Sequence, residues 1–190
     1  MTTATSATAA TEPASSRSSW AIDPAHTDVG FAVKHLMIST VRGRFGSVRG
    51  MIHLDEGDLA GSSVEVEIDA TSIETRQEQR DAHLRSPDFF DVETFPLITF
   101  RSRAVESRGD GGFRITGDLT MHGVTREVVL EATDEGRGTD PWGNEKAAFT
   151  AETRIDRRDF GLGWNQALEA GGVLVANEIR ITLDVQAVRA

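Results

Sequence analysis

The chain has 190 residues, a formal net charge of −10 and no cysteine. That length fits one domain. Absent thiols exclude disulfide staples and thiolate chemistry, and the acidic balance is poorly suited to phosphate backbones or anionic membrane surfaces. Of the 20 basic residues two are lysines, Lys34 and Lys146, and the rest arginine. So strong a bias reads as genomic composition rather than as guanidinium groups selected one by one.

Residues 1–19 are almost wholly Thr, Ala and Ser, which bury too little apolar surface to offset their ordering entropy; a disordered tail is expected, with the folded domain over 20–190. No Lys or Arg precedes Arg17 and no continuous apolar run follows. The tail therefore lacks the form of a secretory signal, no stretch reaches the length of a membrane span, and the expected location is the cytoplasm.

The rest reads as alternating strand. Strands are expected over 29–35, 41–54, 62–70, 97–105, 113–121, 124–132, 147–156 and 178–188. Val64, Val66 and Ile68 alternate with acidic residues; Phe113, Ile115, Leu119 and Met121 share one parity; Ile179, Ile181, Leu183 and Val185 share another. One polar and one apolar face describe half-buried antiparallel strands. Turn signals fall at Glu56–Asp58, Gly109–Gly112, His122–Gly123 and between Gly136 and Gly143. Within 41–54 the apolar parity changes, from Val41 and Phe45 to Val48, Ile52 and Leu54, across Gly43, Gly46 and Gly50; a bulge or sharp bend is expected there. Eight antiparallel strands with short connections make an all-β barrel or sandwich.

One segment breaks the pattern. Thr75 and Glu78 have capping-box spacing, and Ser86-Pro87-Asp88 repeats a helix-start signal. Two short helical turns are expected between the third and fourth strands, carrying the double aromatic Phe89-Phe90 among charges. Such an insert suggests a lid or plug.

The five histidines show no helical ligand spacing, so no metal site is predicted. Asp23 with His26, and Asp81 with His83, place a carboxylate near an imidazole. No strained nucleophile elbow accompanies them. Polar anchoring of the insert by Arg80, Asp81 and His83 is preferred to general-base chemistry. His35 continues the apolar parity of Val29, Phe31 and Val33, as a buried group or as a contact for the polar end of a ligand. The nine Phe residues suit a filled interior and a ligand-holding one equally, because an eight-stranded barrel permits both.

Several segments, in order, resemble the YceI-like polyisoprenoid-binding family: Trp20-Ala-Ile-Asp-Pro-Ala-His26, Val29 to His35, Val41-Arg-Gly-Arg-Phe45, Arg80-Asp-Ala-His-Leu84, Asp88-Phe-Phe-Asp91, Phe95 to Phe100, Gly117 to Thr125 and Arg158-Asp-Phe-Gly161. The resemblance spans 20–189. It implies an eight-stranded lipocalin-like barrel with the helical insert, and an apolar tunnel for a long isoprenoid lipid, an isoprenoid quinone or a similar amphiphile. It implies no catalytic residue and no required cofactor, and it is compatible with a homodimer. Trp20 and Phe95 stand where Tyr is common in that family. Parity and resemblance together nominate Phe31, Val33, His35, Phe45, Val66, Ile68, Leu84, Phe89, Phe90, Phe100, Leu119, Phe149, Ile181 and Leu183 as ligand-binding. Two other readings stay open: an enzyme acting on a lipid or quinone through His35 or Asp81/His83, and a solid-cored interaction module.

Overall fold

In the computed structural model, which describes residues 17–168 and 171–190, eleven strand segments close into a barrel. They are β1 (Arg17–Ile22), β2 (Asp28–His35), β3 (Ser39–Phe45), β4 (Val48–Asp55), β5 (Ser63–Asp69), β6 (Ile73–Glu74), β7 (Leu97–Gly109), β8 (Gly112–Met121), β9 (Val124–Thr139), β10 (Glu145–Asp156) and β11 (Val175–Arg189). Three pairs of segments each act as one bent strand. β11 pairs with β2 along one half and with β1 along the other; β3 and β4 pair with β2 and β1; β6 and β5 pair with β3 and β4. The result is an eight-stranded antiparallel barrel in which chain neighbours are sheet neighbours, closed by the β1–β11 ladder. Closure leaves no long open edge.

The expected parity switch falls at Gly46-Ser47, between β3 and β4. The break is satisfied locally: the Gly46 N–H donates to the Ser72 carbonyl and the Ser47 N–H to the Ser72 hydroxyl, at 3.2 and 3.1 Å. Because β5 and β6 break opposite it, the two strands bend together and the barrel turns inward there.

Among the boundaries that differ from the sequence reading, three bear on the architecture. Residues 17–19, assigned to the tail, belong to β1, where Arg17 Nε donates to the nearly buried Asp55 carboxylate at 2.7 Å. The remainder of the tail, 1–16, lies outside the described residues. β9 runs on to Thr139 through Gly136, because a bulge opposite Ala148/Phe149 accommodates that glycine, and the turn proper begins at Asp140. The insert holds one helix rather than two helical turns. This α1 (Glu78–Arg85) is capped by Gln77, whose side chain accepts the Arg80 N–H, so Thr75 is not the cap. Ser86 ends it: its N–H and its hydroxyl both bond the His83 carbonyl, and Pro87 brings no N–H to continue the ladder. Residues 86–95 then form bonded turns.

Two buried apolar clusters line the interior. The larger includes Phe45, Ile73, Ile98, Phe100, Leu119, Ile155 and Phe160. The smaller, Trp20, Ile52, Leu54, Ala147 and Ala187, closes the end away from α1. The outer face carries cross-strand ion pairs such as Arg49–Glu67, Arg114–Glu131 and Arg180–Glu152. That arrangement is the reverse of a membrane barrel, whose outward residues are apolar.

Candidate functional site: an apolar cavity inside the barrel

Every bent strand contributes inward side chains to one cavity of about 250 Å³. Its wall runs from Leu84, Phe89 and Phe90 beneath α1, past Val66, Phe100 and Leu119 at mid-height, to Leu54, Phe113 and Phe149 at the far end. Thirteen of the fourteen nominated residues line it: Phe31, Val33, Phe45, Val66, Ile68, Leu84, Phe89, Phe90, Phe100, Leu119, Phe149, Ile181 and Leu183. His35 does not. On β2 the lining stops at Val33, and His35 sits one alternation further out, where the strand enters its hairpin. Parity extended past the end of the cavity.

Sequence reasoning left out Ile98, Val105, Ile115, Leu130 and Ile155, which lie on the inward parities of β7 to β10. Alternation was the signal, and it was already visible on β8. Polar lining is sparse: Thr27, His53, Ser62, Thr150, Thr153 and Arg157.

Arg157 had no usable signal in an arginine-rich chain. Its side chain is 3 % exposed and has no carboxylate partner among the described residues. The cause is local. β11 shifts register against β2 between Val175 and Ile179, so carbonyls there leave the ladder. Arg157 takes one up, its Nε donating to the Ala176 carbonyl at 3.0 Å, while Nη1 donates to the carbonyls of Leu162 and Trp164 in the preceding loop at 2.5 and 2.8 Å. Nη2 adds longer bonds to the Val175 carbonyl and to Asn177 Oδ1, at 3.5 and 3.4 Å. Burial pushes the guanidinium below its ordinary pKa range. Beside it, Asp156 caps the turn Arg157–Phe160, and hydrogen bonds from the Arg158 side chain and N–H hold its carboxyl down at about 2.

The insert is anchored as the polar residues suggested, with a different division of labour. Asp81 is buried and accepts both the N–H of Thr75, at 2.8 Å, and its hydroxyl proton. Arg80 donates to the hydroxyl and carbonyl of Thr75, each at 2.7 Å. His83 instead bonds Asp88 through Nε2 at 2.9 Å and meets the rings of Phe89 and Trp164 edge-on, at 5.1 and 4.8 Å. Asp81 and His83 therefore face different partners and form no acid–base pair. At the β1–β2 corner, Asp23 holds the Ala25 N–H and His26 Nδ1, at 3.1 and 3.0 Å, and also receives Lys146 at 3.3 Å. That corner lets one chain segment pair with two halves of β11.

The YceI-like domain family matches residues 20–187. The chain belongs to the YceI-like family. A UPF0312 protein of Vibrio parahaemolyticus is 42 % identical over 138 residues, covering 73 % of each chain. The crystal structure of a YceI protein of Campylobacter jejuni superposes with a TM-score of 0.71 at 32 % identity, covering 88 % of this chain and 96 % of that one. A polyisoprenoid-binding domain from Saccharophagus degradans superposes at 0.69 with 13 % identity, covering 90 % and 98 %, and so shares the fold. The cavity is thus found in a YceI-like barrel.

Proposed function

We propose that this YceI-like barrel binds and carries a long-chain isoprenoid lipid, such as a polyprenyl lipid or an isoprenoid quinone, without chemically altering it. The observation that carries this reading is the continuous apolar lining along the barrel axis, from Phe89 under α1 to Phe149 at the far end. A compact polar substrate would find few partners there. A flexible hydrocarbon finds branched and aromatic surface along its whole length. Each five-carbon unit buried is worth about 3–4 kcal/mol gross at ~0.8 kcal/mol per methylene-sized group. The binding domain from Saccharophagus degradans, with the same fold, supports an isoprenoid ligand over a shorter amphiphile. The separation of Asp81 from His83, and the position of His35 outside the lining, both favour a carrier over an enzyme.

The test is organic extraction of the purified protein followed by mass spectrometry. A stoichiometric lipid with a repeating five-carbon mass ladder is expected. An extract without long-chain lipid, together with failure of the stripped protein to take up added polyprenol or quinone, overturns the proposal.

A further inference from the structure

Among the described residues, three tight turns that join successive strands place consecutive residues at positive φ. Two use the residues that such turns favour: Asp110-Gly111 between β7 and β8, with φ of 49° and 75°, and His122-Gly123 between β8 and β9, with 52° and 72°. The third, between β2 and β3, puts Leu36 and Met37 at 52° and 60°, with the Ile38 N–H closing the turn on the His35 carbonyl at 3.2 Å. This geometry normally selects Asn-Gly. Here it carries Leu and Met in an unfavourable conformation, followed by Ile, and the three side chains are 37, 61 and 82 % exposed. Three adjacent large apolar side chains at the tip of a rigid hairpin are not scattered surface hydrophobics; a contiguous patch of this kind marks a contact surface.

Its surroundings identify the partner. Lys34 and Arg42 are exposed on the two strands just below the tip and form no ion pair among the described residues. The molecule as a whole is acidic, but at physiological salt charges act over about 8 Å, so this local cationic collar is what a surface meets first. An apolar tip above a cationic collar matches a bilayer interface with anionic headgroups. The highly exposed Trp142, at 84 %, stands at the opposite end of the barrel on a turn organised by Asp140. The cavity also ends close below the tip: Val33 and Val175 line it, and Val175 pairs with His35 at the base of the turn.

We infer that the Leu36-Met37-Ile38 hairpin is a membrane-docking tip that inserts into the headgroup region of an anionic bilayer, setting the cavity beside the source of its ligand. This inference rests on the carrier reading for its purpose, though not for its geometry.

The test is flotation of the full chain with vesicles of equimolar phosphatidylcholine and phosphatidylglycerol, compared with phosphatidylcholine alone. The triple variant Leu36→Asn, Met37→Gly, Ile38→Ser supplies the residues this turn prefers, so it should fold at least as well as the parent. It is expected to lose vesicle binding at least tenfold. Lys34→Gln with Arg42→Gln should weaken binding to the anionic vesicles by roughly twenty-five-fold, at about fivefold per charge, and leave binding to phosphatidylcholine unchanged. Trp142→Ala should bind as the parent does. Full binding by the triple variant, loss of binding on Trp142→Ala, or no binding by the parent overturns the inference. So does a dimer in sedimentation that the triple variant abolishes, because the tip would then meet a second copy. Lipid extraction run in parallel separates the two readings. A parent that carries lipid and ignores vesicles refutes docking alone. A parent that docks through the tip, yields an empty extract and takes up no added polyprenol or quinone upholds docking and refutes the carrier.

Discussion

Leu119→Trp separates a cavity from a core. Leu119 sits at mid-height on β8, in register with Phe100 on β7 and, through it, with Val66 on β5, and all three line the cavity. An indole there blocks the passage between the α1 end and the far end. If it displaces one isoprene unit, the loss is about 3–4 kcal/mol of gross burial. At 1.4 kcal/mol per tenfold, that is a fall in affinity of roughly a hundred- to a thousandfold. Stability should move the other way. An empty 250 Å³ cavity costs about 6 kcal/mol at ~24 cal/mol per Å³, and an indole that fills part of it recovers part of that cost. The ligand-free variant should therefore melt at or above the temperature of the stripped parent. Displacement of a fluorescent polyene from stripped protein measures the affinity, and scanning calorimetry measures the melting. A solid interior predicts the opposite: overpacking by the indole lowers stability by about 1–3 kcal/mol and leaves polyene binding unaltered. That result would refute the reasoning.

Two further predictions concern the corner that holds β11. Arg157→Lys keeps the charge but cannot spread donors over the carbonyls of Leu162, Trp164 and Ala176. With buried acceptors left unpaired, a loss of about 2–4 kcal/mol is expected. At ~2–4 °C per kcal/mol for a chain of this size, melting should fall by roughly 5–15 °C in calorimetry; an unchanged melting temperature would contradict the stapling role. Asp156 has a folded-state pKa depressed from 3.8 to about 2. Its contribution is therefore fully present above about pH 4 and lost as pH falls through 2. Asp156→Asn should flatten that part of the curve of melting temperature against pH, and should leave the slope above pH 5 as it was.

Much of the barrel was legible because alternation is a direct physical record of two unlike faces. Val64, Val66 and Ile68, or Ile179 to Val185, could face inward only together, so strand identity and cavity lining came from the same signal. The bend at Gly46-Ser47 was legible for the same reason, as a change of parity. Where information came from pairing across the sheet, the sequence was silent. β1 is too short to show a period, and its place is fixed by β4 and β11. Gly136 looked like a turn because a bulge is defined by the partner strand. Arg157 answers carbonyls freed by a register shift some twenty residues away, which no local pattern records. Thr75 looked like a cap because capping-box spacing also suits a residue bonded to Asp81 in the first turn.

The segment that first broke the strand pattern is part of the wall. Three residues of its helical portion reach back to the short stretch preceding it: Asp81 and Arg80 to Thr75, and Arg85 to the carbonyls of Thr71 and Ile73 at 2.8 and 2.7 Å. Phe89 is buried against His83 and Trp164, and Phe90 packs edge-on against Phe45 at 5.8 Å. Swinging this unit outward would break six polar bonds at about 0.5–1.5 kcal/mol net each, before any apolar surface is exposed. Even the low end, near 3 kcal/mol, leaves under about one molecule in a hundred open. The β2–β11 seam beside the Leu36 hairpin differs. Its ladder is interrupted between Val175 and Ile179, and Arg157 ties the β11 side to the carbonyls of Leu162 and Trp164 rather than to β2. Of the two boundaries at this end of the cavity, the seam offers less resistance to a passing chain.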